Sequence, residues 1–179
     1  MKENTRRLTL CALLSALALG LSYLEGLFPV LPIPLPGIKL GLANIVTLFV
    51  LLQFGASWAF SVLTVRCLLG SIFAGTASAL LFSLLGGVAA MTVMALLQHT
   101  RLSVYGISAA GAAAHQCGQV LAAMWMLNST APMSYLPLLL LISLFTGELT
   151  GFVTALLCRA FQAARLTPDS DKEGFHHGS

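Results

Sequence analysis

Six apolar stretches, each long enough to cross or nearly cross a bilayer, follow one another between residues 8 and 162. No other feature constrains this chain as much. With 58% hydrophobic and 8% charged residues, 179 residues cannot build the polar surface that a water-soluble domain requires. In hydrocarbon every backbone N–H and C=O must be satisfied internally, which leaves helices or closed barrels. The apolar runs are continuous and do not alternate, so helices are expected. The fold class predicted is all-α: a polytopic integral membrane protein built as a six-transmembrane-helix bundle.

Spans are expected at 8–28, 39–53, 57–74, 78–97, 104–127 and 134–162. The second is short for a bilayer that asks for about 20 residues. It is read as tilted, capped by the preceding loop, or buried among the other helices. A cytoplasmic N-terminus at 1–7 precedes the membrane domain at 8–162, and a tail at 163–179 is expected to be disordered and cytoplasmic. Lys2, Arg6, Arg7, Arg101, Arg159, Arg165 and Lys172 all fall on one side of this arrangement. By the positive-inside rule both termini are expected in the cytoplasm. The net charge of +3 therefore reports topology, with lipid as the surrounding partner and no nucleic acid implied. Cys11, Cys67, Cys117 and Cys158 sit within spans with no close pair and are read as small packing residues, with neither disulfide nor metal.

The loop at 29–38 carries four prolines in ten residues, which forbids a regular helix, yet it is apolar. It is read either as a lid over an external binding site or as a rigid interfacial turn. Glu25 and Lys39 flank it and Asn44 follows within the second span, so the three are expected to form a polar rim at the external mouth. Small residues concentrate elsewhere. Ala12 and Ala16 form a small-xxx-small step in the first span, and Gly106, Ala109, Ala110, Ala113 and Ala114 do the same in the fifth. Such faces let helix backbones approach closely, either inside the bundle or against another membrane subunit.

Polar groups within the spans are few. A central Arg66 costs about 2.5–3.5 kcal/mol on insertion scales and needs an anion. Glu148 is the expected partner in a structural ion pair; the alternative is a polar cavity in which Arg66 meets an anionic ligand. His115 and Gln119 lie four apart on one helical face with Gln116 beside them, which suggests a pocket or an interhelical network. No phosphate-binding glycine loop, no paired aspartates near a span and no Cys-x-x-Cys is present. Neither catalysis by this chain alone nor a bound cofactor is expected.

Several runs resemble one family. Residues 37–45, Gly-Ile-Lys-Leu-Gly-Leu-Ala-Asn-Ile, are similar to the hallmark that follows the first helix of Gx transporters, also called heptaprenyl diphosphate synthase component I. Val65-Arg66-Cys67-Leu68-Leu69-Gly70-Ser71, Ala114-His115-Gln116-Cys117-Gly118-Gln119, Tyr135-Leu136-Pro137 and Thr146-Gly147-Glu148 extend the likeness over about residues 8–162. The family has Asn after the histidine, whereas Gln116 stands here. This group resembles the substrate-binding S components of energy-coupling factor (ECF) vitamin transporters. The resemblance implies that Ala12 and Ala16 dock a transmembrane coupling subunit driven by cytoplasmic ATPases, and that the external loop closes over a vitamin-sized substrate.

The first expectation is thus an S-component-like uptake subunit for a small molecule such as a cofactor precursor. The alternative is an accessory membrane subunit of heptaprenyl diphosphate synthase in isoprenoid quinone biosynthesis. A third is a membrane partner in flavin- or quinone-linked electron transfer.

Overall fold

A computed structural model describes residues 2–27 and 41–166. The proline loop, Lys39 and the tail from 167 lie outside the described residues. Six α-helices are described: α1 (Lys2–Leu27), α2 (Asn44–Phe54), α3 (Ala56–Ala74), α4 (Ala77–Leu97), α5 (Val104–Leu127) and α6 (Leu136–Leu166), with a 3₁₀ turn at Ala131–Tyr135 leading into the last. No strand occurs among the described residues. This is a helical membrane protein.

The helix ends follow local chemistry. Gly55 (φ +93) and Gly75 (φ +66) break the chain between α2, α3 and α4. The Ser103 hydroxyl accepts the Gly106 N–H and caps α5, which ends at Asn128 in the left-handed region (φ +44). The first and last helices extend beyond the expected spans. α1 begins at Lys2, because the basic N-terminal residues hold no glycine or proline and favour helix. α6 likewise runs past 162 to Leu166.

Four stretches are long and apolar enough to cross a membrane: Arg7–Glu25, Ala56–Ala74, Ala77–Leu97 and Ala131–Ala163. α5, with 24 residues, is long enough but carries His115, Gln116 and Gln119. α2, at 11 residues, is about 16 Å long and reaches only half-way across a hydrocarbon core. It need not face lipid. Every residue from Asn44 to Leu51 is buried, and α2 touches α1, α3, α4 and α6. The short second span is therefore a central peg, as one reading of its length expected.

The peg is anchored at both ends. Phe49 and Phe54 pack edge-on against Phe161 of α6, with ring centroids 5.6 and 5.9 Å away. Near the other end the Thr154 hydroxyl of α6 donates to the Ile45 carbonyl at 3.4 Å. Around the peg, α1 packs on α3, α3 on α4, α4 on α5 and α5 on α6. Leu8, Ile72, Phe73, Trp125 and Phe145 are among the large apolar side chains that point outward, the pattern expected where lipid replaces water.

Candidate polar centre within the bundle

The inner face of α3 is Ala59, Val62, Leu63, Arg66 and Cys67, spaced as one helical stripe. Arg66 occupies a position that the periodicity assigns to the core, and it is 3% exposed. Its Nη2 donates to Asn44 Oδ1 at 3.4 Å, a long contact to the first residue of the peg. Among the described residues neither its Nε nor Asn44 Nδ2 has a hydrogen-bond partner.

His115 and the two glutamines come from α5, all buried. The room for them is made by glycine. A Cβ on Gly86 of α4 would lie 2.9 Å from His115 Cε1 and 2.9 Å from Gln119 Cγ. Gly41 has φ +88, and a Cβ there would stand 3.0 Å from Asn44 Nδ2 and 3.2 Å from His115 Cδ2. On Gly87 it would meet Leu63 at 2.5 Å and Arg66 Nη2 at 3.4 Å. Asn44, Arg66, His115 and Gln119 thus converge around three glycines where α2, α3, α4 and α5 meet. Gln116 is fully buried beside them in sequence.

The structure separates other candidates from this centre. Glu148 lies on the exposed face of α6 and forms no ion pair with Arg66. The expected pairing fails because the α6 surface that meets α5 is occupied by Gly147 and Gly151, whose missing Cβ atoms would sit 2.6 and 2.9 Å from Ala109 and Tyr105 Cα. Helical geometry then turns Glu148 away. Glu25, half-buried at the end of α1, accepts the Leu42 N–H at 2.8 Å. It ties α1 to the turn before α2 from either side of the proline loop; Lys39, expected with it on the polar rim, lies outside the described residues. Ala12 and Ala16 are exposed on α1, together with Gly20. In α5, by contrast, Ala109 is used inside the bundle against Gly147.

Sequence reasoning passed over Gly86 and Gly87, although an adjacent glycine pair inside an apolar helix is a visible sign of close approach. Thr154 gave no such sign. A shallow groove lined by Phe60, Ser61, Thr64 and Val65 lies on the outer face of α3 and holds no charged group. Among the described residues no group of three or more His, Cys, Asp or Glu could hold a metal ion, and all four cysteines are free.

A family model described as heptaprenyl diphosphate synthase component I matches residues 14–157. The match covers most of the chain, α2 to α5 in full and the polar centre with them, and the chain belongs to that family. No curated protein and no solved structure matches it.

Proposed function

We propose that this member of the heptaprenyl diphosphate synthase component I family is a non-catalytic, membrane-embedded subunit that binds a small molecule and acts with partner proteins. One observation carries the reading: a buried arginine and asparagine, each with an unpartnered donor, face each other where four helices meet. Buried polar groups inside a membrane protein are costly and mark binding sites by default. The proline loop, tied at its base by Glu25 and Leu42, is proposed as the cover on the external side, with both termini cytoplasmic.

The family description supports one form of this reading first: an accessory membrane subunit of heptaprenyl diphosphate synthase, serving isoprenoid quinone biosynthesis beside a soluble catalytic partner. The outer face of α1 favours a second form. Ala12, Ala16 and Gly20 repeat every four residues and stay exposed, a surface on which another transmembrane helix can pack closely. An S-component-like uptake subunit would present such a face to an ECF coupling subunit with its ATPases.

Mass spectrometry of what co-purifies with the tagged chain from gently solubilised native membranes tests both. A soluble prenyl synthase subunit without ATPases is the outcome expected of the first form, and a transmembrane subunit with ATPases that of the second. Recovery of neither class, at full yield of folded chain, overturns the partner-dependent reading.

A further inference from the structure

Arg66 puts a permanent positive charge into the bundle, and nothing among the described residues cancels it. The side chain is 3% exposed, its Nη2 reaches only a neutral amide oxygen, and its Nε is without a partner. Glu148 is on the outer face, and the Glu25 carboxylate accepts the Leu42 N–H; neither pairs with Arg66. A guanidinium does not lose its proton in proteins, so burial cannot be relieved by neutralisation as it can for a lysine. An uncompensated buried charge is strongly unfavourable, and a counter-ion is required.

The neighbouring donor narrows what that counter-ion is. Asn44, 4% exposed, turns its amide oxygen to Arg66 and leaves Nδ2 unpartnered. A charged donor and a neutral donor on two residues in contact fit the two oxygens of one carboxylate. Charge matching points the same way. Among the described residues Arg66 is the only buried lysine or arginine, so one negative charge cancels it. A diphosphate carries more charge than one arginine can cancel, and sites for it gather several cations or a metal.

We infer that the buried centre takes a small molecule through a single carboxylate group, with Arg66 as counter-charge and the Asn44 amide as second donor. The inference rests on the small-molecule-binding reading above and deepens it.

Thermal unfolding of the purified full-length chain in lipid nanodiscs tests it, with benzoate, octanoate, the neutral isostere benzamide and inorganic pyrophosphate as probes. Benzoate is expected to raise Tm saturably, while benzamide and pyrophosphate leave it unchanged. A larger effect of octanoate than of benzoate marks a chain-bearing carboxylate drawn from the bilayer; the reverse marks a compact one from water. Asn44→Asp places a carboxylate beside the guanidinium. It is expected to raise the probe-free Tm by about 3 °C or more and to abolish the benzoate shift. Arg66→Met is expected to match or exceed the wild-type Tm without probe and to lose the shift.

Stabilisation by pyrophosphate above that by benzoate overturns the inference. So does an Asn44→Asp protein less stable than wild type, since the guanidinium would then already be compensated. Equal stabilisation by benzamide and benzoate, both lost in Gly86→Val, sinks the carboxylate while the binding reading stands. No shift with any probe, together with a destabilised Asn44→Asp, sinks both.

Discussion

Arg66 and Glu148 illustrate how little sequence depth says about partnership. Both lie well inside their helices and carry opposite charge, yet one is buried and the other faces outward. Glu148→Gln is therefore expected to change probe affinity by less than about twofold, as substitutions away from a site do; titration of the variant with benzoate checks this. Asn44→Ala behaves differently. It leaves Arg66 without the acceptor it has among the described residues and is expected to cost about 1–2 kcal/mol, measurable as a lowered midpoint in denaturant. The 3.4 Å length of the contact places the loss toward the lower end.

At the scale of elements, glycines decide which helices touch. A Cβ on Gly118 of α5 would fall 2.5 Å from the Leu85 carbonyl oxygen, a backbone atom that cannot swing aside. Gly118→Ala is expected to separate α4 from α5 and to lower Tm by several degrees or abolish folding. Gly20→Ala, with nothing within 4 Å of its Cβ, is expected to be neutral or slightly stabilising through helix propensity. The pair, measured side by side in one nanodisc preparation, separates close packing from helix propensity. Thr154→Val removes the α6–α2 hydrogen bond and is expected to cost about 0.6 kcal/mol, the usual size of such a bond between membrane helices.

For the whole molecule, as far as its residues are described, the long helices pack in the order α1, α3, α4, α5, α6 about a short peg, with a polar centre inside and an open face of small residues on α1. Ala12→Leu with Ala16→Leu is expected to leave Tm unchanged, since both positions are exposed, while reducing recovery of any membrane partner. Loss of Tm without loss of partner would assign that face to the bundle itself. The exposed stripe of α1 and the buried centre lie on different surfaces, so the two sets of variants are expected to act independently.

Composition and continuous hydrophobicity were enough to specify a helical membrane protein and to place most helix ends within a few residues, because apolar length and glycine or asparagine stops are local properties. Local spacing likewise put His115 beside Gln119 and marked Arg66 as costly. What the chain could not reveal from one dimension was which helix each polar residue faces. α2 is buried on all sides because its neighbours enclose it, and a length of 11 residues is equally compatible with a tilted or a capped span. Glu148 turns outward because Gly147 and Gly151 take the inward positions against α5. Asn44, read as part of an external rim, meets Arg66 in the interior because the peg starts part-way down the bundle. Each of these depends on the rotation and depth of one helix relative to another, which only packing among all of them sets.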